Sequence, residues 1–157
     1  MAKTVLKIFA LLVVLVIVGI QFWRPDFSNP PVTAGHRIGE VHVLPENVER
    51  VLKTSCADCH SNESRYPWYS NIAPLSWGIH DHIRVGRDEL NFSEWKEYSK
   101  RKRLRKLEEI CEEVESGNMP HYQYLWLHPE AEMDESKTKM LCQWTEELSE
   151  EIEGGSK

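Results

Sequence analysis

Cys56-Ala57-Asp58-Cys59-His60 is the stretch on which the reading of this chain turns. Two cysteines spaced by two residues and followed at once by histidine form the attachment pattern of a c-type haem in an exported protein. The thiols add to the two vinyl groups of the porphyrin, and the next residue, His60, is then held under the iron. The two-residue spacer sets the sulfurs about one helical turn apart. Neutral imidazole is a good iron ligand, which makes His60 the proximal candidate. With 4 cysteines and 7 histidines in 157 residues, a chance match has a probability of roughly 0.004.

Three other readings compete. A thioredoxin-like redox pair would sit in strand–helix alternation, which does not surround the motif. Half of a zinc site would need a second C-x-x-C, but Cys111 and Cys142 stand far apart. A structural disulfide between Cys56 and Cys59 is the third. The haem reading requires export, because haem is joined to such motifs on the outer side of the bacterial inner membrane.

The N-terminus supplies the signal. Lys3 and Lys7 precede an apolar run from Ile8 to Ile20, extended by Phe22 and Trp23. Val5 to Trp23 is long enough to cross a bilayer as a helix. A cleaved signal peptide is the rival, though no small-x-small site follows the run. Trp23 suits the outer interface, while Lys3, Lys7 and the amino terminus favour the inside. The expected organisation is an anchor over 1–23, an extended linker over 24–44 and a haem-binding domain over 45–154. This places the protein in the bacterial inner membrane, single-pass, with its C-terminal domain in the periplasm.

Composition agrees with one globular domain: 41% hydrophobic and 28% charged residues, with a mean hydropathy of -0.50. Without Lys3, Lys7 and Arg24 the chain keeps 16 basic residues against 25 acidic ones, a net charge of −9. Such a domain would repel nucleic acid, so none is expected as a partner.

Periodicity predicts helices throughout. Val48, Val51, Leu52 and Ser55 share one face of a helix over Pro45–Ser55 that leads into the motif. Ser61 to Pro74 reads as a loop wrapped against the haem. In and beside it, Arg65, Trp68, Tyr69 and Trp77 are candidate donors to the propionates, against the plainer reading of packed aromatics and a surface arginine. Leu75 to Leu90 carries a stripe of Leu75, Ile79, Ile83, Gly86 and Leu90. His82 lies about 60° from the stripe's centre and His80 about 100°, so His82 is expected to face inward. Asn91 caps a further helix running to Glu115 or Ser116, with Leu104, Leu107, Ile110, Cys111 and Val114 inward. Its first turns are basic and its last acidic, which reads as ion pairing such as Arg105 with Glu109, or as a docking face for headgroups or an acidic partner. Asp134 caps a last helix built on Leu141, Trp144, Leu148 and Ile152, followed by an acidic tail fraying over Glu150–Lys157.

Gly117 closes the helix that ends near Glu115, and Met119-Pro120 follows in a loop. A thioether there is the leading sixth ligand and would raise the potential. His82, His121, His128 or an open position are the alternatives. His121 to Ala131 is expected to cover the distal side. Cys111 and Cys142 remain, and an exporting route invites a disulfide. Cys142, however, lies about 140° from its helix's apolar face, and the pairing stays open.

With these residues in view, the chain resembles a family of small haem-binding domains related to class I cytochromes c. The resemblance spans about Pro45 to Thr145. It is carried by Cys56-Ala57-Asp58-Cys59-His60-Ser61-Asn62-Glu63, Tyr66-Pro67-Trp68-Tyr69, Ala73-Pro74-Leu75-Ser76-Trp77, Asn91-Phe92-Ser93-Glu94-Trp95, Gly117-Asn118-Met119-Pro120 and Leu127-His128-Pro129-Glu130-Ala131. It implies one covalent haem c with its iron, Cys56 and Cys59 as attachment points, His60 proximal and Met119 distal. The fold expected is all-α: cytochrome c-like helices around one haem, plus the anchor. The function expected is electron transfer to an unidentified redox partner, without enzymatic activity. A haem-based sensor or a peroxidase-like enzyme with an exchangeable sixth ligand is the alternative.

Overall fold

Helix α1, Ala2–Ile20, stands clear of the rest of the chain in the computed structural model, which describes residues 1–155. It is 19 residues long with a mean hydropathy of 2.5 and buries none of them, which is long and apolar enough to cross a membrane. Every other regular element among the described residues is also helical. The short α2 (Ile38–Val41) and α3 (Glu46–Val51) come first. After a wide π turn over Leu52–Cys56 come α4 (Ala57–His60), α5 (Leu75–Glu89) and α6 (Lys100–Glu115). The short α7 (Tyr122–Leu125) and the long α8 (Glu135–Gly154) complete the chain, with 3-10 turns over Trp68–Asn71, Phe92–Glu97 and Pro129–Ala131.

The core is where the apolar stripes meet. Leu107, Ile110 and Val114 of α6 and Leu141, Trp144 and Leu148 of α8 join Val48, Val51, Leu52, Phe92 and the fully buried Trp95 in one cluster. Truncating a side chain like Trp95 removes about 3–5 kcal/mol of stability. Asp134 caps α8 by accepting from the Lys137 amide at 2.7 Å, as the sequence implied. At the end of α6, Gly117 takes φ +73°. The amides of Gly117 and Asn118 donate to the carbonyls of Val114 and Glu113, closing a Schellman motif that delivers Met119.

The structure departs from the expected elements in places, each with a cause. The helix expected from Asn91 to Glu115 is two pieces. Asn91 accepts from the Ser93 amide at 3.0 Å to start a 3-10 turn, and Ser99 caps α6 separately, accepting from Lys102 at 3.3 Å. Two competing caps in one stretch divide it. The region 24–44 lies along the domain: Ile38 is buried, Arg37 pairs with Glu63 at 2.9 Å, and the Lys96 amide donates to the His36 carbonyl at 3.1 Å. The region expected to fray is helical through Gly154, and only Ser156 and Lys157 of that tail lie outside the described residues.

Cys111 and Cys142 are bonded to each other, with α-carbons 4.9 Å apart. Helix α8 packs on α3 as well as α6, so its side facing α6 is offset from the centre of its apolar stripe. The basic turns of α6 are engaged within the domain. Arg105 pairs with Glu109 at 3.2 Å and Lys102 lies 3.7 Å over the Tyr98 ring. Arg103 donates to the Trp95 and Lys96 carbonyls at 3.2 and 2.8 Å. Lys106 is buried between Glu89 and Glu109.

Candidate functional site

The motif is positioned by a change of helical pitch. Regular α-helix ends at Val51, the backbone widens into the π turn that finishes at Cys56, and α4 resumes with Ala57. Such widened turns re-aim side chains at functional sites. Here the turn separates Cys56 from the α3 stripe while the chain stays helical through Cys59 and His60.

His60 is held from behind. Its Nδ1 lies 2.8 Å from the Gly86 carbonyl and 3.1 Å from the Leu90 carbonyl. Both partners are acceptors only, so Nδ1 carries the hydrogen and Nε2 keeps its lone pair. Burial lowers the pKa of His60 below the ordinary value, although the two carbonyls oppose it, and the ring is neutral at neutral pH. An imidazole oriented through Nδ1–H with Nε2 open has the arrangement of a metal-ligating histidine.

Both carbonyls come from the C-terminal end of α5, which reaches the motif at Gly86. A Cβ at that position would meet the Cys59 carbonyl oxygen at 2.7 Å and the Cys59 Cβ at 3.2 Å. Only glycine lets the helix close on the motif. Its role in contacting the cysteine backbone is invisible in a stripe pattern, which registers Gly86 simply as small.

Cys56 and Cys59 are free thiols, whereas the other two cysteines are bonded. Burial pushes Cys56 up to about 12 and Cys59 up to about 11, keeping both protonated at neutral pH. Between them, buried Asp58 organises the following loop. The Arg65 guanidinium donates to its carboxylate at 3.0 and 2.9 Å, the Arg65 amide at 3.1 Å and the Tyr124 hydroxyl at 2.8 Å. Burial works against ionisation of Asp58, but these hydrogen bonds outweigh it and hold its pKa below the usual carboxylate range. Arg87 clamps the same loop to α5, donating to the Ser61 carbonyl at 2.7 Å and the Ser64 hydroxyl at 2.8 Å. Beneath it, Asn91 donates to the Asn62 side chain at 2.8 Å and the Asn62 amide to Ser93 at 3.0 Å. The sequence places Asp58 in the motif and Gly86 in the α5 stripe but gives neither its role, and Arg87 and Tyr124 carry no local signal, since each acts through partners distant in the chain.

The other candidates are placed as follows. Arg65 is committed to Asp58 with its side chain still largely exposed. Tyr69 shares its hydroxyl with Nε2 of His128. Trp77 donates its ring N–H to the Trp23 carbonyl at 2.8 Å, and Trp68 is exposed. Met119 is 37% exposed, and Tyr122, Trp126 and Leu127 after it are open as well. On α5 the buried line is Ser76, Ile83 and Gly86, leading to Leu90, with Leu75 and His82 exposed and His80 half-buried against Phe27. The expected inward position of His82 is therefore corrected, because the contact of Gly86 with Cys59 sets the helix's rotation. His82 instead meets the His121 ring, with centroids 4.8 Å apart.

The donor set fits a covalently attached haem: two unpaired thiols at the right spacing and a neutral imidazole with one nitrogen anchored and the other open. A sequence profile for a family described as a haem-binding domain matches residues 15–147, most of the chain. No curated protein and no solved structure matches. The chain belongs to the haem-binding domain family, as its motifs implied.

Proposed function

We propose that this member of the haem-binding domain family is a membrane-anchored, periplasm-facing monohaem c-type cytochrome that carries electrons. Haem c would supply a one-electron couple at its iron. Cys56 and Cys59 provide the two sulfurs that form thioethers, and His60 provides Nε2 as the proximal ligand. The observation that carries this reading is the double carbonyl anchor on Nδ1 of His60. It keeps the ring in one tautomer and one orientation, so little rearrangement accompanies a change of charge nearby. Met119 is the proposed distal ligand, delivered by the Schellman turn at the end of α6. The open apolar side chains of Tyr122, Trp126 and Leu127 belong to the segment proposed to cover that side and exclude water. Arg65, exposed beside the motif, is the proposed propionate donor. Tyr69 and Trp77 already have partners for their polar atoms.

The reading is tested by expression in a host with haem-ligation machinery. The mature polypeptide should weigh more than its amino acids by one haem, and its pigment should resist acidified acetone. A bare polypeptide mass, or colour lost to acid acetone, refutes covalent attachment. The oxidised protein should show a weak near-infrared thioether-to-iron band that disappears in Met119→Ala.

A second reading is favoured by the pairing of exposed His82 with half-buried His121, with ring centroids 4.8 Å apart. In a sensor or peroxidase-like enzyme, one of these histidines would be a distal acid–base group and the sixth position would be exchangeable. A high-spin ferric spectrum that shifts with added cyanide would select it.

A further inference from the structure

We infer that the uncharged face carried by residues 68–77 rests in the lipid headgroup layer beside the anchor, so that the domain lies against the bilayer instead of standing off it. The inference rests on α1 spanning a membrane, as in the reading above. The end of α1 is joined to this face by reciprocal hydrogen bonds. The Gln21 side-chain amide donates to the Ala73 carbonyl at 3.0 Å, and the Ala73 amide donates to the Gln21 side-chain oxygen at 3.0 Å. A third bond runs from the Trp77 ring N–H to the Trp23 carbonyl at 2.8 Å. Residues 21–23 leave the membrane at its surface, and Ala73 and Trp77 are therefore held at the same depth.

What lies exposed at that depth has the chemistry of the interface. Trp68 is 76% exposed, Leu75 55%, Ile72 40% and Trp77 39%, next to Phe22 and Trp23. Tryptophan prefers the headgroup level, where its ring is buried and its N–H remains satisfied. Between Arg65 and His80 there is no charged side chain at all, in a chain that is 28% charged. A face built for an acidic or basic protein would carry charge at its rim. The acidic remainder of the domain would be repelled by anionic lipid and so faces away. Haem and a second copy of the chain are the competing occupants of this apolar face.

The test uses the full-length protein, purified from membranes and placed in lipid nanodiscs containing a phospholipid with a diazirine near the glycerol end of its acyl chain. After illumination, adducts are mapped by mass spectrometry. Adducts are expected on residues 68–77 as well as on 2–23. Gln21→Ala should lose those on 68–77 while keeping those on the anchor. Adducts confined to 2–23 would overturn the docking and leave the spanning helix standing. Absence of adducts on 2–23 would overturn both. Protein–protein crosslinks through 68–77 would give the face to a second copy and refute the proposal.

Discussion

Gly86 and Cys59 touch so closely that a single methyl group on Gly86 would stand 2.7 Å from the Cys59 carbonyl oxygen. Helix α5 thus seats itself on the backbone of the motif, and its last turn and the residue that follows it, Leu90, supply the two carbonyls that hold His60. Gly86→Ala separates helix propensity from packing. Inside a helix this change alone stabilises by about 0.5–1 kcal/mol. Here overpacking against backbone reverses the sign, and a loss of about 1–3 kcal/mol is expected in denaturant unfolding. The variant should also perturb the spectrum of the haem-loaded protein, because the anchor on Nδ1 moves. A stabilised variant with an unchanged spectrum would refute the contact.

Asp58 ties the motif to the loop after it. Asp58→Ala removes the acceptor shared by Arg65 and Tyr124, and a loss of about 1–3 kcal/mol at neutral pH is expected. Its carboxyl has a depressed folded pKa. The stabilisation is therefore present above the ordinary carboxylate pKa and is lost as pH falls through the folded value. Acid unfolding should be less steep in the variant than in the parent, as measured by circular dichroism across the acid range.

The thiols have the opposite sign of dependence. Folded Cys56 and Cys59 hold their protons up to about 12 and about 11, against an ordinary value of 9.0. The stabilisation is complete below pH 9 and disappears as pH rises through 11 to 12. The haem-free protein should lose stability over that range. The haem-loaded protein should lose less, since a thioether has no proton to release and only groups such as buried Tyr98 and half-buried Tyr124, also raised by burial, still contribute. Matching alkaline profiles for the two forms would count against attachment through these sulfurs.

The Cys111–Cys142 bond closes a separation of 31 residues between α6 and α8. Replacing both cysteines by serine should cost about 2–4 kcal/mol. The chain should nevertheless fold and take up haem, because Leu107, Ile110, Leu141, Trp144 and Leu148 still pack. Thermal unfolding with and without reductant, together with haem content, checks this.

Local chemistry made much of the protein readable in its sequence. The motif at Cys56–His60, the apolar α1, the stripes of α6 and α8 and the caps at Gly117 and Asp134 all depend on residues within a few positions of one another, which is where spacing carries information. Membership of the haem-binding domain family follows from the same short motifs. Tertiary structure alone decided what rests on distant partners: which face of α5 turns inward, that 24–44 lies along the domain, that Cys142 meets Cys111, and that Asp58 gathers Arg65 and Tyr124. Gly86 is the clearest case. Its sequence neighbourhood specifies a helix, but the rotation of that helix is set at Gly86, which has no side chain and where another backbone must pass. That constraint exists only once Cys59, far back along the chain, has been brought against it.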